Sequence, residues 1–515
     1  MRTFKITATI LLLLLPLTLQ SQTQKEPVDL EAVNKIKNEA LNNSSIRDLS
    51  FYLTDVIGPR LSGSSGLDVA YKWTSDKMEE WGLENVEIDP WGEFGRGWDN
   101  EKFYIAMTEP YYQHLIGVPR AWTKGTEGLV ETEPVLVDIS TEEDIEKYRG
   151  ELEGKVVVRP VPHRNEPELP EGPMSQRYDE EDLKRLEQRR SISNPPYGHG
   201  PESDDTERQR VRELNRKMNE LFEEEGVVAV LNPAGTFGTV RSHGRGYSMD
   251  DEPGLTQIDM TFEHYGRIVR LLEEGKNVGI ELEVENSFLE DDTKGYNVIA
   301  EIPGTDPELE EELVMLGGHL DSWHGGTGGN DNAAGVAVVM EVMRIINELD
   351  LQPRRTIRVA LWGAEEQGLH GSRNYVAEHF YDMEEEEKKD DFHNLSAYFN
   401  IDNGSGKLRG IWAMQNDAAI PIFEQLLEPL HDLGATTVTP RMTGATDHVA
   451  FERAGLPGFN MLQDRLDYGR GYHTNMDTLE RMELGDMKQA AAVMATIVYH
   501  VAQRDERMPR KPFDH

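Results

Sequence analysis

Two histidines and a set of carboxylates recur at one kind of place in this sequence, the turn that follows a short apolar run. His319 and Asp321 come after Glu312-Leu-Val-Met-Leu316, Glu365 and Glu366 after Thr356–Trp362, and Asp402 after Ala397–Ile401. His473 follows the run Gly458–Leu462 at a distance, and Asp331 sits in Asn330-Asp-Asn332, at the opening of an apolar helical stretch. Imidazole and carboxylate donors without thiolate suit zinc, with manganese or cobalt as substitutes. Two such ions about 3.5–4 Å apart need a carboxylate between them, and a water held there gives up its proton near neutral pH instead of at its bulk pKa of about 15.7. Adjacent glutamates can divide two tasks, one binding metal while the other stays free as a general base. A lone histidine after a strand is ordinarily a satisfied polar residue, and a lone Asp331 a helix-start residue favoured by the dipole. The groups taken together, each at a strand end or helix start, point to a metal site.

Such convergence needs a scaffold that brings strand ends to one edge. From about residue 290 the chain alternates short apolar runs with helical stretches. Residues 332–349 align Val336, Val339, Met340, Met343 and Ile346, and residues 486–503 align Ala490, Met494, Ile497, Val498 and Val501. The alternation predicts an α/β fold with a mainly parallel sheet covered by helices, whose sites gather at the carboxyl ends of strands. The earlier runs Glu133–Asp138, Lys155–Arg159 and Gly226–Leu231 are bounded by Gly and Pro and predict a smaller, mostly-β domain. Within it, residues 162–222 are almost entirely polar and read as a charged helical surface excursion.

Composition bounds the rest. At 515 residues the chain is long enough for two or three domains. With 53 basic against 94 acidic side chains the net charge is −41, which disfavours nucleic acid and anionic membrane surfaces as partners. The absence of cysteine removes disulfides, thiolate metal sites and cysteine nucleophiles. Arg2 and Lys5 precede a leucine-rich run ending near Leu19 and a polar Gln20–Gln24, the pattern of a cleavable secretory signal over residues 1–22. The expected mature protein is secreted or periplasmic and off the membrane. There is neither a Gly-x-Ser-x-Gly elbow nor a His-Glu-x-x-His pair, and Gly404-Ser-Gly-Lys407 lacks the remaining residues of a phosphate loop.

The segments His319-Leu-Asp-Ser322, Asn330-Asp-Asn-Ala-Ala-Gly335, Trp362-Gly-Ala-Glu-Glu-Gln-Gly-Leu-His-Gly-Ser372, Asn400-Ile-Asp402 and Tyr472-His-Thr-Asn-Met-Asp-Thr478 resemble the zinc exopeptidases of family M28. Gly58-Pro-Arg-Leu-Ser-Gly-Ser64 and Thr446-Asp-His-Val-Ala-Phe451 are similar to further segments of that family. The resemblance implies an αβα sandwich on a mixed, mainly parallel sheet, formed by residues 23–120 and 288–515. A protease-associated (PA) domain at 121–287, carrying the 162–222 excursion, would interrupt it. It also implies two zinc ions, with His319 and Asp402 on one, Glu366 and His473 on the other, and Asp331 bridging. Glu365 would be the general base and Asp321 the residue orienting His319. Asp447, His448 and Tyr472 would face the substrate, a dipeptide or the terminal residue of a short peptide, and a homodimer is compatible with the family. His324, in the glycine-rich loop after Trp323, is read as a non-ligand. A one-zinc acyltransferase of the glutaminyl-cyclase type and a non-catalytic, receptor-like member of the fold are the alternatives. The full ligand set argues against both.

Overall fold

The computed structural model describes residues 25–161, 173–188 and 205–512. The expected leader lies outside them, as does much of the polar excursion. Eight strands form the large sheet: β1 (Glu84–Glu93), β2 (Lys294–Ile302), β3 (Leu313–His319), β4 (Thr356–Trp362), β5 (Leu395–Asn400), β6 (Leu408–Trp412), β7 (Thr437–Thr439) and β8 (Gly458–Gln463). Their order is β1-β2-β4-β3-β5-β8-β6-β7. The central neighbours β4, β3, β5 and β8 run parallel, while β1, β2 and the β8–β6 pair are antiparallel. The sheet is therefore mixed with a parallel centre.

Both faces of the centre are buried, so its strands are written as unbroken apolar runs instead of alternating ones. Side chains still alternate between layers. Val314, Leu316, Val359, Leu361 and Phe399 share one core with the helices Leu30–Asn42 (α1), Ser65–Glu80 (α2), Ala334–Glu348 (α3) and Leu484–Gln503 (α5). Met315, Ala360, Trp362 and Tyr398 face a second core with Tyr375 and Val376 of helix His370–His379 (α4), and with Phe451. Helices thus cover both faces, three layers in all. The α3 helix is buried nearly all round, from Ala334 to Met343, because it crosses between β3 and β4 beneath α5.

Segment 173–188 packs on β7 of the large sheet, while residues 97–161 and 205–289 build a smaller unit with two sheets. One has five short strands in the order 117–119, 257–260, 229–233, 156–158, 134–136, parallel except at the first pair. The other is antiparallel, with Gly97–Glu109 and Gly279–Leu289 as its long central pair. Two features differ from the sequence expectation. Strand Gly97–Glu109 lies before residue 121 yet pairs with this unit, because its partner is the returning strand 279–289. The unit also carries substantial helix: Phe262–Glu273 packs Tyr265, Ile268 and Val269 into its core, and Asp205–Glu224 contributes Met218, Leu221 and Phe222. Among the described residues, no helix is long and apolar enough to cross a membrane.

Candidate metal centre

Four of the expected ligands leave the carboxyl edge of the parallel centre. His319 ends β3, Glu366 lies in the turn after β4, Asp402 follows β5, and Asp331 sits in the tight turn 329–333 that opens α3. His473 comes instead from the irregular stretch after β8, at a left-handed φ of 59°. Ligand atoms of His319, Asp331 and Asp402 lie within 4.8 Å of one another, and so do those of Asp331, Glu366 and His473. Asp331 belongs to both groups: its Oδ1 is 3.2 Å from His319 Nε2 and its Oδ2 3.0 Å from His473 Nε2. His473 Nε2 is also 2.9 Å from Glu366 Oε2, and His319 Nε2 is 3.5 Å from Asp402 Oδ1.

The expected ligands Asp331 and Asp402 are held from behind. The Asp331 turn is fixed by the buried Asp477 carboxylate, which accepts the amides of Asn330 and Asp331 at 2.6 and 3.1 Å. Asn332 ties that turn to the Asp402 strand, donating from Nδ2 to the Ile401 carbonyl at 2.9 Å and accepting from the Gly335 amide at 3.0 Å. The wholly buried Arg60 donates to the carbonyls of Leu320, Thr327 and Gly328 at 2.8–3.0 Å. That gives the Gly58–Ser64 segment its part in shaping the loop after β3.

Asp321 acts differently from the sequence expectation. The atom 2.9 Å from His319 Nδ1 is the main-chain carbonyl of Asp321, while its carboxylate Oδ1 is 3.7 Å away. That carboxylate accepts the amides of Glu365 and Glu366 at 3.1 and 3.2 Å, and the Ser62 hydroxyl at 3.1 Å. One residue thus orients the imidazole through its backbone and anchors the glutamate turn through its side chain. The reason is reach: two residues after His319 the chain has already turned, which brings the carbonyl closer to the ring than the carboxylate.

Asp447 and His448, expected at the substrate, present no surface to solvent. His448 Nε2 faces the Thr443 carbonyl at 3.2 Å, and burial lowers the ring to about 4, a neutral histidine built into the core. Burial pushes Asp447 up to about 7, with Asp402 and Asp321 adding to it against the pull of His319. Tyr472 is partly exposed beside the centre, its ring 4.5 Å from that of His473 and stacked on Tyr468 at 5.2 Å. His324 is turned away, its Nε2 2.7 Å from the Pro119 carbonyl. Sequence reasoning missed Arg241, from the smaller unit, whose guanidinium lies 4.4 Å from the Tyr472 ring and 3.0 Å from His473 Nδ1. No local pattern marks it, because it reaches the site from more than 200 residues away in sequence.

The electrostatics are those of crowded carboxylates in search of positive charge. Burial raises Glu365 well above the ordinary carboxyl range, with Asp402 and Asp447 adding to it against the pull of His319. Glu366 rises to about 7 through burial and the neighbouring Asp331. The imidazoles move to compensate. Burial alone would lower His319 and His473, yet Asp402 and Glu365 drive the first well above its ordinary value, and Glu366 and Asp331 drive the second to about 10. A divalent cation would take over that neutralising role and leave both rings free to coordinate. The polar atoms fit such an ion. His319 Nε2, Asp331 Oδ2, Glu366 Oε1 and Asp402 Oδ1 are all buried without a hydrogen-bond partner, an expensive state for protein alone.

Comparison with known proteins places the fold and sequence among peptidases. A sequence model of peptidase family M28 matches residues 297–498, the stretch that holds all five of these side chains. Carboxypeptidase Q of Pongo abelii is 27% identical over 491 residues, covering 94% of this chain and 90% of its own. The crystal structure of a peptidase M28 precursor from Shewanella amazonensis SB2B superposes with a TM-score of 0.63 at 25% identity, covering 94% of this chain and 99% of its own. A zinc aminopeptidase from Bacillus subtilis shares the fold, with a TM-score of 0.53 at 16% identity over 90% of this chain and 96% of its own. On its sequence, its fold and the donors gathered at one sheet edge, the chain is a metallo-exopeptidase that resembles carboxypeptidase Q and matches peptidase family M28 over residues 297–498.

Proposed function

We propose that this metallo-exopeptidase works with two zinc ions, His319 and Asp402 holding one, Glu366 and His473 the other, and Asp331 both. The observation that carries the reading is the sharing of Asp331 between two ligand groups whose buried donor atoms lack other partners. Zinc is favoured by the all-imidazole and carboxylate donor set and by the zinc aminopeptidase that shares the fold. When bound, the ions supply Lewis acidity at the scissile carbonyl and to the attacking water.

The chain's own residues do the rest. Glu365 takes one proton from the water as it attacks the carbonyl carbon, and returns it to the amide nitrogen as the C–N bond breaks; the water's other proton stays on the new carboxyl group, and acid and amine then ionise to carboxylate and ammonium. Its carboxyl is suited to that exchange because it stands outside both ligand groups and so stays free to accept and return a proton. Asp321 keeps the Glu365 backbone in place, and Tyr472 and Arg241 border the approach. Substrates are dipeptides or the terminal residues of short peptides; carboxypeptidase Q and the aminopeptidase carry the two end-specificities in their names. The proposal includes export directed by residues 1–22, and a protease-associated character for the smaller unit, which is inserted between β1 and β2 of the large sheet.

The test is hydrolysis of a dipeptide library by zinc-loaded protein, with N-blocked and C-amidated versions in parallel. Free dipeptides should be cleaved, and one of the two blocks should abolish cleavage and so name the end recognised. Failure to cleave any free dipeptide or terminal residue would contradict the reading.

A further inference from the structure

His473 differs from the other ligands in how it is held. His319, Asp331, Glu366 and Asp402 sit at strand ends or a helix start, and their hydrogen bonds and ion pairs run to residues of the peptidase sheet and its loops. His473 rides on the stretch 464–477, and residues inserted between β1 and β2 fasten that stretch at both ends: segment 173–188, which packs on β7, at one end, and the smaller unit at the other.

At the first end, Gln176 and Leu466 exchange backbone hydrogen bonds at 3.0 and 2.9 Å, an isolated antiparallel bridge. Beside it, the Tyr178 amide donates to the buried Asp464 carboxylate at 2.9 Å. Arg177 pairs with Asp464 at 3.4 Å and also with Asp486 on α5. At the second end, the Ser242 amide donates to the His473 carbonyl at 2.7 Å and the Asn475 amide to the Val240 carbonyl at 3.1 Å. The Asn475 side chain completes that contact, its Oδ1 accepting from the Val240 amide at 2.8 Å and its Nδ2 donating to the Gly238 carbonyl at 3.3 Å. Arg241 closes over Tyr472 between them.

We propose that these two contacts form a clasp by which the residues inserted between β1 and β2 set the affinity of one metal position, that of Glu366 and His473, and leave the position of His319 and Asp402 to the peptidase domain alone. A ligand on a loop must be ordered before it can coordinate, and the entropy of ordering it falls on whatever fastens the loop. Partners that orient a ligand are typically worth about 10–100-fold in metal affinity. Arg177 and Asn475 are positioning residues in this scheme, each acting on the ion through the backbone that carries His473.

This presupposes the two-zinc reading, and wild-type stoichiometry reports on that separately. Wild type, Arg177→Ala, Asn475→Ala and Asp402→Asn would be dialysed against graded chelator, with zinc counted per chain and unfolding temperature recorded. The clasp predicts that the first two variants keep one ion at wild-type affinity and bind the other about 10–100-fold more weakly. Asp402→Asn should show the complementary loss. Unchanged affinity for both ions in either clasp variant overturns the proposal, as does release of both ions together. A wild type holding a single zinc would sink the two-zinc reading itself.

Discussion

The amides of Glu365 and Glu366 both donate to the Asp321 carboxylate, so two identical side chains leave one fixed turn in different directions. Glu366 Oε2 meets His473 at 2.9 Å, whereas Glu365 feels Asp402, Asp447 and His319 as charges around a buried carboxyl. A base that must accept and return a proton cannot have its charge tied up on a metal. Glu365→Gln should therefore keep its full zinc content and its substrate affinity while kcat falls by about 10²–10⁴, the usual contribution of a general base. Glu366→Gln should lose one ion, with rate partly restored by added zinc. Metal analysis beside steady-state kinetics checks both; zinc loss in Glu365→Gln with full content in Glu366→Gln would reverse the roles.

At the scale of elements, the centre depends on how closely the start of α3 approaches the end of β5. Gly335 makes this approach possible: a Cβ there would run into the Asn332 side chain and the Ile401 carbonyl, the two groups whose hydrogen bond joins the Asp331 turn to the Asp402 strand. Gly335→Ala should cost about 1–3 kcal/mol by overpacking and weaken zinc binding at the Asp331 and Asp402 positions. Urea unfolding and zinc titration of the variant measure the two effects; a variant with unchanged stability would show that the helix start has room to give. Much of this architecture can be read from the sequence, because the centre of the large sheet is buried on both faces and so is spelled as apolar runs ending in Gly317–His319, Gly363–Glu366 and Asp402. The smaller unit reads less well. The strands of its five-stranded sheet, three to five residues each, leave little pattern, and helix Phe262–Glu273 has an apolar face of Tyr265, Ile268 and Val269 that the surrounding β-rich runs obscure. What a sequence cannot supply is which atom of a residue is used, as with the carbonyl of Asp321, or which distant residue comes to rest on a ligand, as with Arg241 on His473.

For the whole molecule, the join between its two units contains a histidine that stays neutral. His324 donates from Nε2 to the Pro119 carbonyl at 2.7 Å and lies edge-on to Trp98 at 5.0 Å, and burial lowers it to about 4. An unfolded histidine takes its proton near pH 6.5. Because the folded value lies below the unfolded one, the unfolded chain binds more protons as pH falls from about 6.5 toward 4, and stability is lost across that window. The slope from this group is at most about 1.4 kcal/mol per pH unit. Comparing wild type with His324→Gln isolates it from other titrating groups. The difference in unfolding free energy between the two should be constant above pH 6.5 and move against wild type below it; a difference independent of pH would mean that His324 is not held neutral. The net charge of −41 adds a second, salt-dependent element, since screening relieves repulsion among surface carboxylates.

Zinc reconstitution tests the shared-carboxylate centre most directly. Protein stripped by chelator would receive zinc in steps, with dipeptide hydrolysis and bound metal measured at each. Two ligand groups joined through Asp331 predict that activity keeps rising through the second equivalent and reaches its maximum at two zinc ions per chain. Full activity at one equivalent, with no further gain at two, would contradict it.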